Sequence, residues 1–335
     1  MVRIAVLGAT GYAAKELLRL LLVHPEAEVT ALTTRQDDRP HLGDVHPSLR
    51  GRLDLHLENL DATAVAKRAE CVFSCLPHAA SAEVIKDLLA AGSRVVDFSA
   101  DYRLNDPAVY KKWYDHDHPD PARMADTVYG LPELYRARIP SAQLVANPGC
   151  YPTSAILPLA PLLRAGAISH EGIIVDSKSG VSGAGRTPKL NFHYPECNES
   201  FSAYGVGTHR HMPEIDQVLS DFGGRPTEVV FTPHLVPMDR GILTTVYATP
   251  QAGLEAAAQL KLLRDFYAKE PFVRVVDGLP ATKDVSGSNH CDMTVRLVRG
   301  RVVIVSVIDN LIKGASGAAV QNFNLMYGFD ETTAL

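Results

Sequence analysis

The hydrophobic residues of this chain follow two patterns, and the change comes near residue 150. Before it, short runs rich in β-branched residues alternate with stretches whose apolar residues recur at helical spacing. Such alternation is typical of a parallel sheet covered by helices on both faces, so the first part is predicted to be an α/β domain. The predicted strands cover residues 2–7, 29–34, 72–76 and 94–99, and the predicted helices cover the leucines between 17 and 22 and residues 79–91.

After residue 150 the predicted strands follow one another through short turns, which indicates an α+β domain with a mainly antiparallel sheet. Arg299-Gly300 predicts a hairpin turn, and only residues 254–270 predict a long helix among these strands. An apolar run from Ala155 to Leu163 predicts another helix, which we expect to be short or kinked because of Pro158 and Pro161. The strands are predicted at residues 173–179, 228–237, 242–248, 273–276, 293–298 and 302–308.

The domain boundaries follow from these two patterns. We predict a cofactor-binding domain over residues 1–148 and a catalytic, substrate-binding and oligomerisation domain over residues 149–313. The segment after Lys313 is helical in pattern and has one face of small residues, so residues 314–335 are expected to return to the first domain and complete it.

Composition narrows the function classes. The 335 residues carry a net charge of -5, which argues against a nucleic-acid-binding surface. No run approaches the ~18 apolar residues of a membrane span, and five scattered cysteines predict neither a disulfide framework nor a zinc site, which fits a reducing cytoplasm. His116 and His118 lie in an Asp- and Pro-rich loop that we interpret as a solvated turn, so no metal is predicted.

A glycine-rich turn follows the first predicted strand and precedes the first predicted helix. Gly8, Gly11 and Ala14 allow a tight turn, close backbone approach and helix-on-strand packing, which aims the helix N–H groups at a pyrophosphate. This setting favours a Rossmann-like dinucleotide site over a purely structural turn. The residues predicted to bind the cofactor here are Gly8, Thr10, Gly11 and Tyr12.

The second predicted strand ends in Thr34-Arg35, where NAD-binding folds usually place a carboxylate on the ribose. A guanidinium beside hydroxyl groups suits a 2′-phosphate, so Thr34 and Arg35 predict NADP as the cofactor. The alternative is an exposed, solvated arginine, since Asp37 and Asp38 follow closely.

Cys150 is the candidate nucleophile. It follows Asn147-Pro-Gly and precedes the predicted helix, so its sulfur should lie near free backbone N–H groups that favour the thiolate. The alternative is a small buried cysteine that only packs. Arg103, after the strand at residues 94–99, is a candidate anion-binding residue, unless it pairs with Asp101.

These motifs closely resemble the N-acetyl-gamma-glutamyl-phosphate reductase family of the aspartate-semialdehyde dehydrogenase superfamily. The resemblance runs almost end to end and implies reduction of N-acetyl-L-glutamyl 5-phosphate to N-acetyl-L-glutamate 5-semialdehyde by NADPH, with phosphate release, in arginine biosynthesis. It also implies a homodimer or homotetramer. The motifs are GATGY from Gly8, FSADYRL from Phe98, NPGCYPT from Asn147, SGVSGAGR from Ser179, HRHMPEI from His209, GSN from Gly287 and DNLIKG from Asp309.

The resemblance also implies roles for individual residues. Cys150 would form a thioester, and His211 is favoured over His209 as the group that exchanges protons. Asn310 would bond the nicotinamide carboxamide, and Lys313 would bind either the cofactor or a backbone carbonyl. The other implied contacts are Ser182 and Gly183 with the cofactor, and Arg103, Asn147, Arg186 and His209 with the substrate.

Several alternatives stay open at this level. An aspartate-semialdehyde dehydrogenase or an aminoadipate-pathway relative would act on a similar acyl phosphate, and one methylene leaves little trace in a sequence. A redox sensor that binds a dinucleotide would not need a nucleophile beside a histidine. A Cys-His hydrolase would not need the glycine turn or Arg35.

Overall fold

The computed structural model describes residues 1–36, 38–251 and 255–335, and it divides the chain into two units. One unit contains Met1–Pro148 and Ala315–Leu335, and the other contains Gly149–Gly314. The predicted α/β fold with a second α+β part is confirmed, and the strands of each unit form a sheet of their own.

The described strands of the first unit form a parallel sheet of seven strands in the order β3-β2-β1-β4-β5-β7-β6. The chain extends the sheet from β1 to one side and then, from β4, to the other, so the strand order reverses beside β1. Ligands of such sheets bind at this reversal, outside the carboxyl ends of the strands. The strands are β1 Val2–Leu7, β2 Ala27–Thr33, β3 Leu57–Glu58, β4 Cys71–Ser74, β5 Arg94–Asp97, β6 Val128–Tyr129 and β7 Leu144–Ala146.

Helices connect these strands and bury their apolar faces against the sheet. In α1 the buried residues include Ala14, Leu17, Leu18 and Leu21, the spacing that predicted a helix. The helices are α1 Tyr12–Leu21, α2 Leu42–Val45, α3 Ala62–Arg68, α4 Ser81–Ala90, α5 Pro107–Tyr114, α6 Pro121–Met124 and α7 Pro132–Tyr135.

The second unit contains a mixed sheet in the order β12-β13-β14-β11-β8-β10-β9. In the described residues four strand pairs are antiparallel and two are parallel, which confirms the mainly antiparallel prediction. Arg299 and Gly300 both have positive φ, at 49° and 76°, as a type I′ hairpin turn requires. The strands are β8 Ile173–Gly180, β9 Ser202–Ala203, β10 Val229–Val236, β11 Ile242–Ala248, β12 Val273–Val275, β13 Cys291–Val298 and β14 Arg301–Ile308.

Two helix predictions for this unit are corrected. The helix that begins at Cys150 is not short, because it continues past Pro158 and Pro161 to Arg164. Pro161 removes the N–H partner of the Leu157 carbonyl, but the Tyr267 hydroxyl donates to that carbonyl instead. A long helix was also missed. The helices are α8 Cys150–Arg164, α9 Tyr194–Cys197, α10 Met212–Gly223 and α11 Ala256–Phe266, and residue 254 of the predicted helix 254–270 lies outside the described residues.

The chain ends in a π-helical turn, Ile312–Ser316, followed by α12, Gly317–Tyr327. Within the first unit, the Ser316 hydroxyl donates to the Ala13 carbonyl at 2.8 Å, and the Asn322 amide donates to the Gly130 carbonyl at 2.8 Å. A side chain on Gly130 would lie 2.6 Å from that amide. Close backbone approach therefore holds α12 against the first sheet.

Candidate active site

A cavity of about 410 Å³ opens at the strand reversal of the first unit. It lies beyond the carboxyl ends of β1, β2 and β4, where a doubly wound sheet binds a dinucleotide. Its walls include four residues predicted from the sequence, Gly8, Thr10, Thr34 and Arg35. Sequence reasoning missed Gln36, Asn59, Leu60, Leu76, Pro77 and Val84, which line the same cavity.

Gly8 closes the turn between β1 and α1. Its φ is +67°, and an added Cβ would lie 2.8 Å from the Cys75 carbonyl oxygen, so this position requires glycine. Gly11 caps α1 without a side chain, and Tyr12, which is 37% exposed, is the first residue of the helix. The first N–H groups of a helix have no intrahelical partner, so this end of α1 suits a phosphate group.

The end of β2 presents a cation to this cavity. Arg35 is exposed on the cavity wall, while the Thr34 hydroxyl accepts the N–H of Gln36 at 3.2 Å. Asp38 is exposed, and Asp37 lies outside the described residues. The described wall of the cavity thus offers hydroxyl and guanidinium groups, which fit a phosphorylated ribose.

Arg103 and Asn147 are buried in the first unit and bond to its backbone. The Arg103 guanidinium donates from Nε to the Asn147 carbonyl at 2.8 Å and from Nη2 to the Phe98 carbonyl at 2.7 Å. The amide of Asn147 donates to the Ala315 carbonyl and accepts from Asn322. Both predicted substrate contacts therefore have structural partners in their own unit.

In the second unit, Cys150 is the first residue of α8 and is partly exposed. The preceding N–H, on Gly149, donates to Oε1 of the buried Glu214 at 2.8 Å. The Thr153 N–H and hydroxyl both bond to the Gly149 carbonyl and complete the first turn. The structure thus places Cys150 at the end of α8 where a helix leaves backbone N–H groups without intrahelical partners.

His209 and His211 lie beside Tyr151, the residue after Cys150. The ring centroids of the two histidines are 4.8 Å apart and lie 5.6 Å and 5.9 Å from the Tyr151 ring. The segment before α10 is a turn, and within it the His211 N–H donates to Nδ1 of His209. The turn brings both rings to the same side.

The ring of His209 is largely removed from solvent. Burial lowers the pKa of His209 to about 4, and the neighbouring Arg210 adds a smaller effect in the same direction. His209 is therefore neutral at pH 7. Tyr151, Tyr204 and Phe231 pack against its ring, which explains the loss of solvent.

The loop after β8 uses most of its backbone donors internally. The N–H groups of Gly180, Val181 and Ser182 donate to carbonyls of residues 238–241, and Gly185 donates back to Ser182. Gly183 closely approaches its surroundings, since a Cβ would lie 2.9 Å from the Ser179 hydroxyl oxygen.

Asn310 fixes this loop. Its Oδ1 accepts the Gly241 N–H at 2.7 Å, and its Nδ2 donates to the Ser182 hydroxyl at 3.0 Å. The amide predicted to hold the nicotinamide therefore has a partner at each end within the second unit. Arg186, by contrast, is exposed at the end of the loop.

Lys313 is fully buried, with Nζ 5.6 Å from the centroid of the Phe272 ring. The next residue, Gly314, lies against Cys150, and sequence reasoning missed this contact. A Cβ on Gly314 would lie 2.8 Å from Cβ of Cys150. The sequence shows that a glycine follows Lys313, but it does not show that this glycine lies against Cys150.

His116 is exposed, as the predicted solvated turn requires, but His118 is not. The ring of His118 is buried between Tyr102 and Tyr110, at centroid distances of 4.8 Å and 5.0 Å, and its Nδ1 accepts the N–H of Asp120. His118 packs with these aromatic residues and supports the loop. Among the described residues, no group of three or more His, Cys, Asp or Glu side chains is placed to hold a metal ion.

The comparisons with known proteins agree with this arrangement. Residues 3–142 match the NAD binding domain of semialdehyde dehydrogenases, and residues 150–310 match the semialdehyde dehydrogenase dimerisation domain. An N-acetyl-gamma-glutamyl-phosphate reductase of Rhodopirellula baltica is 57% identical, covering 99% of this chain and 98% of the relative. The chain belongs to the N-acetyl-gamma-glutamyl-phosphate reductase family. A second member of the family, from Geobacter metallireducens, is 54% identical over 100% of this chain and 98% of its own.

The resemblance seen in the motifs is thereby confirmed, and solved structures support the fold of the family. An aspartate semialdehyde dehydrogenase II of Vibrio cholerae in complex with ASA has a TM-score of 0.74 at 18% identity, covering 97% of this chain and 98% of that one. An aspartate semialdehyde dehydrogenase of Candida albicans with NADP has a TM-score of 0.73 at 15% identity, with the same coverage. At these identities the likeness concerns the fold alone. No described helix in this chain is long and apolar enough to cross a bilayer.

Proposed function

We propose that this chain reduces N-acetyl-L-glutamyl 5-phosphate to N-acetyl-L-glutamate 5-semialdehyde with NADPH and releases phosphate, a step of arginine biosynthesis. The observation that carries the proposal is the position of Cys150, at the start of α8 with two histidines packed on the neighbouring Tyr151. Relatives of the same name that match nearly the whole chain support the substrate.

In the proposed reaction the Cys150 thiolate attacks the acyl carbon, the C–O bond to phosphate breaks, and a thioester forms. When bound, NADPH supplies the hydride that reduces the thioester carbonyl. Cys150 then leaves as thiolate, and the aldehyde is released. We assign proton exchange at the thiol and at the substrate oxygen to His211, and contact with the substrate to the neutral His209.

We propose NADP as the cofactor because the wall of the first cavity offers Arg35 and Thr34 to a 2′-phosphate. Gly8, Thr10, Gly11 and Tyr12 would hold the pyrophosphate at the start of α1. This assigns cofactor binding to residues 1–148, completed by residues 314–335, and substrate chemistry to residues 149–313.

The remaining predicted contacts fall into two groups. Arg186 is exposed and keeps its proposed role as a contact for the substrate phosphate. We propose that Arg103, Asn147, Ser182, Gly183, Asn310 and Lys313 shape the two sites, because the structure gives several of them bonds to backbone groups. Direct ligand bonds from these residues would be made in addition to these structural bonds.

Cys150→Ser tests the covalent mechanism. We expect the variant to fold and bind NADPH but to lose nearly all turnover, because an alkoxide forms far less readily than a thiolate at neutral pH. Phosphate-dependent reduction of NADP with a panel of semialdehydes identifies the substrate. Substantial turnover by the variant, or a preference for aspartate semialdehyde, would contradict the proposal.

We also propose a homodimer or homotetramer built through the second unit. Its helices α8, α10 and α11 pack on one face of the sheet, and the other face exposes Ile174, Val230 and Tyr247 at 42%, 59% and 40%. The match of residues 150–310 to a dimerisation domain supports this choice. All five cysteines are described as free thiols, which supports a cytoplasmic location.

Light scattering on Val230→Asp tests the interface. A charge on this face should shift the oligomer toward the monomer, because its burial in an apolar contact is costly. The matched control is Val23→Asp in the first unit, where the valine is 60% exposed. If both variants keep the mass of the wild type, the sheet face is not the interface.

A further inference from the structure

Cys150 leaves no room for a side chain at Gly314. A Cβ added to Gly314 would lie 2.8 Å from Cβ and 3.2 Å from Cα of Cys150, and 3.3 Å from Cδ1 of Ile308. Carbon atoms in ordinary contact are separated by more than 3.4 Å. Any side chain at position 314 would therefore have to move the cysteine by more than half an ångström or move its own backbone.

The backbone at Gly314 is not free to move away. Its N–H donates to the Asp309 carbonyl, five residues earlier, which is the bond of a π-helical turn. The carboxylate of Asp309 is fully buried, and Oδ1 accepts the N–H groups of Leu311 and Ile312. Oδ2 accepts the N–H of Gly287, so the turn is also fixed to the loop before β13.

We propose that Gly314 is a positioning residue for Cys150: the bare backbone at this point of the π-turn sets where the thiol lies at the start of α8. The proposal rests on the proposed function, in which Cys150 is the nucleophile. It explains why a π-helical turn occurs here. Such turns are rare in proteins, and those that do occur are often found at functional sites. It also gives Asp309 a role, because this carboxylate holds the turn that carries Gly314.

The expected effect of a displaced thiol is large. A shift of about 1 Å in a reacting atom can lower a rate by ~10²-fold, and backbone N–H groups at a helix start favour a thiolate placed beside them. A side chain at position 314 should therefore lower both the turnover and the reactivity of the Cys150 thiol. Substrate affinity should change much less, because the substrate-binding groups remain.

Gly314→Ala tests the proposal with two matched controls in the same unit. Gly278→Ala adds a Cβ that meets nothing within 4 Å. Gly223→Ala adds a Cβ that would lie 2.9 Å from Cε1 of His170, a clash at a similar distance but with the end of a side chain, at a position whose near neighbours do not include Cys150. We expect kcat to fall by ~10²-fold in Gly314→Ala with little change in KM, and to stay near the wild-type value in both controls.

Alkylation of Cys150 by iodoacetamide, followed by mass spectrometry, supplies a readout that does not depend on turnover. We expect Gly314→Ala to slow alkylation at pH 7 and to raise the pH at which alkylation reaches half its maximal rate. Each unit by which the thiol pKa rises should slow alkylation at pH 7 about tenfold. Alkylation and turnover within twofold of Gly278→Ala would overturn the proposal. Turnover by Cys150→Ser would instead overturn the proposed function. The alkylation rates would then still test whether Gly314 positions the Cys150 thiol.

A double variant covers the case in which Gly314→Ala folds poorly. Cys150→Gly removes the Cβ that the new methyl group would meet at 2.8 Å, whereas Ile308→Val removes only the Cδ1 atom at 3.3 Å. We expect the fall in melting temperature caused by Gly314→Ala to shrink more in the Cys150→Gly background. An equal fall in both backgrounds would show that the clash lies elsewhere and would refute the proposal.

Discussion

The N–H of Gly149 donates to Oε1 of Glu214 at 2.8 Å, and this bond joins the starts of two helices. Gly149 caps α8, whose first residue is Cys150. Glu214 lies in the first turn of α10, which begins directly after His211. Glu214 is only 1% exposed. One charge-assisted hydrogen bond therefore fixes the candidate nucleophile relative to the histidine segment.

Replacing Glu214 should show how much this bond contributes. Glu214→Ala removes the acceptor of a buried N–H, and we expect a loss of ~1–3 kcal/mol in the free energy of unfolding together with slower turnover. Glu214→Gln keeps an oxygen at the same place and should retain most of the stability. Urea denaturation and single-turnover rates measure both effects. Equal losses in the two variants would show that the charge of Glu214 matters more than its acceptor.

The hydroxyl of Tyr267 should stabilise α8 because it replaces a helical hydrogen bond that Pro161 removes. The Leu157 carbonyl lacks its helical N–H partner at Pro161 and accepts the Tyr267 hydroxyl instead. We expect Tyr267→Phe to lower the free energy of unfolding by ~1–3 kcal/mol in the wild type. In a Pro161→Ala background the helix can supply its own N–H, so the same change should cost less. An identical cost in both backgrounds would argue against this explanation.

The elements that the sequence predicted well are those with local causes. The strand, glycine turn and helix at residues 2–22 and the hairpin at Arg299-Gly300 depend on neighbours in the chain, and both form as predicted. The uninterrupted α8 depends on Tyr267, which is distant in sequence, so its prolines were misleading. Helix α10 was missed although Ile215, Val218 and Leu219 have helical spacing and are buried.

In the candidate site, too, the features with local causes were predicted from the sequence and those that depend on distant residues were not. The cofactor cavity could be located because Gly8 and Arg35 belong to a motif of one strand, one turn and the next strand. The partners of Asn310, in contrast, come from the loops at Ser182 and Gly241, which only the folded sheet brings together. Residue types thus indicated the chemistry, while the positions of individual groups required the tertiary structure.

Arg35→Ala should weaken NADPH binding far more than NADH binding, because only NADPH carries the 2′-phosphate. The lost charge-assisted bonds are worth ~1.5–3 kcal/mol, or roughly a 10- to 150-fold change in Kd. Fluorescence titration with both cofactors measures the difference. Gln36→Ala is the control, since Gln36 lines the same cavity without a charge. Equal weakening of both cofactors in Arg35→Ala would assign Arg35 a structural role.

His209 should make the protein less stable in acid. Burial lowers its pKa from 6.5 to about 4, so the folded state disfavours the protonated ring. Above pH 6.5 the protonation of His209 does not lower the free energy of unfolding. As the pH decreases from 6.5 toward 4, the free energy of unfolding should fall by on the order of 1–3 kcal/mol. Urea denaturation of His209→Asn should show a flatter profile over this interval, whereas His193→Asn, at an exposed histidine, should follow the wild type. A wild-type profile for His209→Asn would contradict a buried neutral ring.

The two histidines compete for one proton-exchange role, and the environment of His209 makes it the weaker candidate. With a pKa of about 4, His209 is almost entirely neutral at pH 7, so it is a poor general acid. Its Nδ1 also accepts the His211 N–H, which commits one ring nitrogen to holding the turn. We therefore expect His209 to contact the substrate as a neutral group and His211 to move the proton.

His211→Asn should lower kcat by ~10²- to 10⁴-fold with little change in KM, because asparagine keeps polarity but does not titrate. His209→Asn should mainly raise KM. The pH profile separates the roles further, since loss of the true acid and base should remove a near-neutral limb of kcat that the other variant keeps. If His209→Asn removed that limb and His211→Asn kept it, the assignment would be reversed. The role of Cys150 would stand in either case, because alkylation of the thiol reports on it independently of the histidines.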